Sequence, residues 1–166
     1  LNLPMILRKA QVEGKDFFKV LDYYLDRINQ LHIKTYDYLC KLKASFDPVA
    51  FCQGGFGNLQ PSDSIAPLVK KATFSYGFTA LNELQELYNG HSLYQERRNP
   101  DCFAYKALKY IADYVDEKKK ESGINLQPQE ATQAIENYMS VHRLPLLSPE
   151  EQAEMKKLQF YDPAKL

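Results

Sequence analysis

Apolar positions recur along this chain at two periods, and the switches between them divide it into elements. From Asp16 to Lys43, Phe18, Leu21, Leu25, Ile28, Leu39 and Leu42 step by three, four or their sums, with Phe17, Tyr24 and Leu31 widening the stripe. That spacing predicts one long amphipathic helix whose apolar face must meet a large partner surface. A second long helix is read from Asp101, taken as its N-cap, through Phe103, Ala104, Ala107, Leu108, Ile111, Ala112 and Val115 to Gly123. Lys118, Lys119 and Lys120 close it and complement its dipole, so the run is a solvated helix end.

The stretch TFSYGFTALNELQELYNG, residues 73–90, combines both periods. Thr73, Phe74, Ser75 and Tyr76 alternate as a strand, Gly77 turns the chain, and Leu81, Leu84, Leu87 and Tyr88 follow at helical spacing. Thr79 reads as the N-cap and Asn89-Gly90 as the stop. A strand that ends on a glycine turn and a new helix N-terminus offers free amides to a phosphate or carboxylate near Gly77 to Thr79. Read locally, the same pattern is an ordinary strand-turn-helix with its amides capped internally.

The remaining segments are shorter. Leu1 to Leu7 reads as an edge strand interrupted by Pro4. Pro48 ends the first long helix, and Val49 to Cys52 reads as a brief buried strand. Gln53-Gly54-Gly55-Phe56-Gly57 is a flexible turn, equally a backbone contact for a ligand or a plain connection. A short turn is expected from Ile65 to Val69, then Lys70-Lys71. Two further helices are expected in the tail, from Pro128 to about Val141 and from Ser148 to about Leu158.

At 166 residues with 45% hydrophobic and 25% charged residues, the chain is the size of one ordinary domain with enough apolar content for a core. Lysine plus arginine and aspartate plus glutamate balance at 21 each, so no overall field recruits nucleic acid or an anionic membrane. No apolar run approaches the roughly 20 residues of a membrane span. Cys40, Cys52 and Cys102 are widely spaced and odd in number, which argues against a disulfide framework and a structural zinc site and fits reduced cytoplasmic thiols. Cys52 reads as a small buried hydrophobe and His32 as a partly buried packing residue beside the long stripe.

The order of these blocks resembles the catalytic subunit of the anaerobic, class III ribonucleotide reductases, which are glycyl-radical enzymes. Leu1-Asn2-Leu3-Pro4 is similar to the family's N-L-P-R block, and Ser75 to Leu84 to its A-S-x-G-x-x-A/G-L-N-E-L block. Asp47 to Gly55, Phe103 to Leu108 and Glu121 to Asn125 add to the likeness, which spans about residues 1–125 and leaves 126–166 as an unmatched helical tail. The resemblance implies a predominantly α fold with a few short strands, a fragment of a glycyl-radical-type α/β barrel with two long helices packed together.

It also implies roles. Asn2 would lie near the reacting ribose and orient a hydroxyl or carbonyl, as the catalytic candidate, with Gly77 and Thr79 facing substrate. In the intact family a glycyl radical, installed by an iron-sulfur, S-adenosylmethionine-dependent activase, generates a thiyl radical, and ATP and deoxynucleotides act as effectors. The family's thiyl cysteine precedes the N-L-P block and its glycyl loop follows much later. The chain is therefore expected to begin inside a larger protein, to carry no cofactor or metal itself, and not to turn over alone. Its expected partners are a nucleoside triphosphate, a second copy of itself and the activase, with neither nucleic acid nor membrane. The alternative is a non-catalytic helical module for binding or assembly.

Overall fold

A computed structural model describes residues 1–128 and 149–150. These residues are mostly helical, with one small parallel sheet. Helix α1 spans Leu3–Glu13, where an edge strand was expected. The reason is local: Asn2 Oδ1 accepts from the Met5 amide at 3.1 Å, and Pro4 sits in the first turn, where its missing N–H costs nothing. Leu3, Ile6, Leu7 and Ala10 then face the core, and Gly14 ends the helix at φ 62°.

Helix α2 spans Phe17–Leu39, beginning as expected at Asp16, whose carboxylate accepts from the Phe18 and Lys19 amides. It ends four residues before Lys43, and a single 3₁₀ turn, Ala44–Phe46, follows. Leu31 does not belong to the buried stripe, being 61% exposed, whereas Leu21 and Leu25 are fully buried. Helix α3, Pro48–Cys52, replaces the buried strand expected there: Asp47 Oδ1 accepts from the Ala50 amide, and Val49 is exposed. Asp-Pro and Asn-Leu-Pro are both helix starts, and the proline that argued against continuing a helix here opens one. A Cβ on Gly55 would lie 2.9 Å from the Ala50 carbonyl oxygen, so the close backbone approach of the glycine turn is to its own chain.

After the short helix α4, Ala66–Val69, strand β1 covers Phe74–Tyr76 and helix α5 Leu81–Asn89. Helix α6 spans Phe103–Ser122 and ends at Gly123 with φ 67°. Strand β2, Leu126–Pro128, returns beside β1 in parallel, pairing Phe74 with Leu126, Ser75 with Gln127 and Tyr76 with Pro128. The crossover between these parallel strands consists of α5 and α6. Pro128, expected to open the first tail helix, instead ends β2 in pairing with Tyr76; the rest of that helix lies outside the described residues, and of the second only Pro149 and Glu150 are described, both helical.

The main core is built by α1, α2, α5, α6 and both strands around Leu3, Leu21, Leu25, Tyr76, Leu84, Ile111, Val115 and Leu126. The two long helices do pack together. Tyr110 Oη donates to Asp22 at 2.7 Å and Tyr114 Oη to Asp26 at 2.6 Å, so residues four apart on α6 meet residues four apart on α2. The Tyr114 hydroxyl is pushed above the ordinary tyrosine value by burial first and by its bond to Asp26 second. A second, smaller cluster joins Ala44, Ile65 and Val69 to half-buried Leu39, Cys40, Phe51 and Cys52. His32 lies half-buried on α2, its ring edge-on to Tyr76 at 4.8 Å and beside Phe74 at 5.6 Å, with a buried Nδ1 that has no hydrogen-bond partner.

Two outcomes follow for stability. Leu21→Ala is expected to cost roughly 3 kcal/mol in denaturant unfolding, whereas Leu31→Ala should change it by less than about 0.5 kcal/mol; equal losses would contradict the observed stripe. Burial lowers the His32 pKa from 6.5. As pH falls below that ordinary value the unfolded chain takes up the proton first, so stability drops until the pH has passed the lowered native value. His32→Leu should remove that loss just below pH 6.5, measured as the difference in unfolding free energy between variant and parent across the window.

Candidate functional site

Residues 74–79 run extended, and alternation along them sorts two faces. Tyr76 and Phe78 are buried and Phe74 is half-buried, whereas Ser75, Gly77 and Thr79 are exposed. The buried face rests on the long helices, and the Tyr76 hydroxyl donates to Asn29 Oδ1 of α2 at 3.0 Å. The odd-numbered face is open.

The start of the chain completes this open face. The Leu1 nitrogen donates to the Gly77 carbonyl at 2.7 Å, the Thr79 amide donates to the Leu1 carbonyl at 2.9 Å, and Asn2 pairs with Thr79 as a parallel bridge. Residues paired across parallel neighbours project to the same face, so Asn2 joins Ser75, Gly77 and Thr79. The Phe74 amide donates instead to Asn125, and amides alternate in direction along an extended run. Leu1-Asn2 and β2 therefore flank residues 74–79 on opposite edges, giving three parallel extended segments side by side.

The three residues singled out in the sequence, Asn2, Gly77 and Thr79, thus meet at one exposed corner although Asn2 and Thr79 lie far apart in the chain. Asn2 spends its Oδ1 on capping α1, so its amide NH2 is the group left to donate outward. Thr79 does not cap α5. The cap position is Ala80, held at φ 64° with no side-chain hydrogen bond, because Thr79 is drawn into the pairing with Leu1 and the left-handed turn falls one residue later. The first turn of α5 therefore has no side-chain cap, which leaves its dipole end open to an anion. Ser75 and its partner Gln127 extend the polar face and were not singled out in the sequence. Period-two parity with Gly77 and Thr79 is the signal that finds Ser75.

What fixes the corner is the anchoring of α5. Asn82 is buried, and its Oδ1 accepts from the Leu93 amide at 2.8 Å. Gln85, also buried, accepts through Oε1 from the Ala104 amide at 2.9 Å and the Cys102 thiol at 3.2 Å, so it caps α6 where Asp101 was expected to. Asp101 instead pairs with Lys106 at 2.8 Å. At the far end of α5, the buried Glu96 carboxylate receives Asn89 Nδ2 at 3.1 Å, Asn99 Nδ2 at 2.6 Å and the His91 ring at 2.6 Å. The bonds from Asn99 and then His91 hold this carboxyl below the usual glutamate range.

The cysteines serve other ends. Cys40 and Cys52 pack at the second cluster, and Cys102 is buried under α5 with its thiol pushed up by burial. None is set at the open corner in the manner a substrate-facing thiol requires. Among the described residues no group of three or more His, Cys, Asp or Glu side chains could hold a metal ion, and no helix is long and apolar enough to cross a membrane.

Comparison with known families bears on this arrangement. A family model described as anaerobic ribonucleoside-triphosphate reductase matches residues 1–132. No curated protein gave a significant match. The matched span contains all three parallel segments, the open corner and both long helices, and the chain belongs to the anaerobic ribonucleoside-triphosphate reductase family.

Proposed function

We propose that residues 1–128 form part of the substrate-facing wall of an anaerobic ribonucleotide reductase, whose reaction converts ribonucleotides to deoxyribonucleotides for DNA synthesis. The observation that carries this reading is the pairing of Leu1-Asn2 with Gly77 and Thr79, which gathers distant residues on one open polar face. The side-by-side parallel segments are the kind of arc from which a barrel wall is made, and the open face is the one that would turn toward substrate. The family model matches residues 1–132, so the family-like segment extends past Asn125.

Each side chain has a defined task in this reading. Asn2 donates its amide N–H to a ribose hydroxyl or carbonyl oxygen and so fixes the sugar against the corner. Gly77 keeps the wall flat enough for the substrate to approach backbone, and Thr79, beside the uncapped start of α5, receives a phosphate. The glycyl radical of the intact family supplies the hydrogen-abstracting chemistry, and its activase and nucleotide effectors act on that larger assembly. No cysteine in 1–166 stands at the corner, so the 166-residue polypeptide binds nucleotide without reducing it.

Titration with a nucleoside triphosphate should move the amide resonances of Asn2, Ser75, Gly77 and Thr79 before others. Asn2→Ser keeps an acceptor for the α1 cap but removes the amide donor, and should weaken binding about tenfold, the worth of one hydrogen bond of roughly 1.4 kcal/mol. No deoxynucleotide should form. Saturable binding elsewhere, turnover by the chain alone, or a stable dimer indifferent to nucleotide would each contradict the reading, the last in favour of an assembly module.

A further inference from the structure

Asn89-Gly90 is the single Asn-Gly pair in the sequence, and it occupies the end of α5. Asn-Gly is the dipeptide most prone to cyclise, because a glycine amide meets no side chain as it attacks the neighbouring carboxamide. Here both reacting groups are engaged elsewhere. The Gly90 amide donates to the Glu86 carbonyl at 2.8 Å, Asn89 Oδ1 accepts from the His91 amide at 3.0 Å, and Asn89 Nδ2 donates to Glu96 at 3.1 Å. Asn89 and Gly90 are nevertheless exposed, and nothing lies within 4 Å of the place a Cβ on Gly90 would occupy, so water has access.

We propose that Asn89 is a latent deamidation site kept closed by the Glu96 clasp, and that its conversion opens the segment between α5 and α6. The chemistry needs water alone. The Gly90 nitrogen attacks Asn89 Cγ and loses its proton, the bond from Cγ to Nδ2 breaks, and ammonia leaves. Water then opens the cyclic imide to aspartate or isoaspartate, with no change of oxidation state. The product carboxylate stands where Nδ2 stood, 3.1 Å from Glu96 Oε1, and replaces a donor with a like charge. Glu86 lies on the same helix and adds a further negative charge, while Arg97 and Arg98 are the arginines of this segment. Repulsion between positions 89 and 96 releases the turn at His91, and with it the Leu93 amide held by Asn82.

The test is incubation of the full 166-residue chain at mildly alkaline pH, with peptide mapping by mass spectrometry for a gain of one mass unit at Asn89. The folded chain should retain Asn89 far longer than a free peptide spanning residues 85–93. Glu96→Ala, and the milder Glu96→Gln that drops the charge but keeps the shape, should speed conversion about tenfold, the factor that one charged hydrogen bond makes in a local opening equilibrium. Slow exchange of the Ile111 amide, retained in at least the Gln variant, separates local opening from global unfolding. Asn89→Asp should lose the protection of the Leu93 amide while Ile111 stays protected. Conversion in the folded parent as fast as in the peptide, no acceleration in a folded Glu96 variant, or undiminished Leu93 protection in Asn89→Asp would each overturn the proposal.

Discussion

Two backbone hydrogen bonds join the start of the chain to its middle: Leu1 to Gly77 at 2.7 Å and Thr79 to Leu1 at 2.9 Å. They are long-range contacts whose closure entropy must be offset elsewhere, and the offset comes from the apolar faces they align. Leu3, Ile6, Leu7 and Ala10 of α1 are delivered to the core shared with Phe17, Leu21 and Leu84 because Leu1-Asn2 is held beside residues 77–79. Without that pairing, α1 loses its registration and Asn2 leaves the open face. The same pairing shifts the helix cap from Thr79 to Ala80 and accounts for a left-handed alanine in an otherwise unstrained turn.

In the proposed reading, function and stability are carried by opposite faces of one extended segment. Even-numbered side chains face the long helices, where Tyr76 contacts Asn29, His32 and Tyr114. Odd-numbered ones stay open with Asn2 and Gln127. A polar surface backed by a packed aromatic layer is rigid enough to hold a bound group in one orientation, which is what a substrate wall requires. Helix α5 extends that rigidity by anchoring both its ends with buried polar groups, Asn82 and Gln85 along it and Glu96 beyond it.

Much of this was legible where the signal was local. Gly90 and Gly123 as stops, Asp16 as the start of the first long helix, and the apolar spacing of α2 and α6 all depend on neighbours within a turn or two, which sequence displays directly. Asn2-Leu3-Pro4 and Asp47-Pro48 misled because proline was weighed as a breaker, although after a capping residue it is a starter. Thr79 and Asp101 were plausible caps that lost to distant partners: Leu1 drew the first into a ladder, and Gln85 supplied the second helix with its acceptor. The first competition is invisible until residues 76 or more positions apart are brought together, the second until residues 17 to 19 apart are. The Glu96 cluster, confined to residues 89–99, was unreadable for a different reason: no motif marks asparagines, a histidine and a glutamate that converge through a turn.

The family resemblance supplied what spacing could not, namely that Asn2 and the Gly77 corner belong together. Amide hydrogen exchange at Thr79 tests this most directly. Thr79 is surface-exposed, yet its amide should exchange slowly, in step with Phe74, because it is bonded to the Leu1 carbonyl in the parallel arc. Exchange at the rate of an unstructured residue, with the helices still protected, would mean a helical bundle without the arc and would contradict the account.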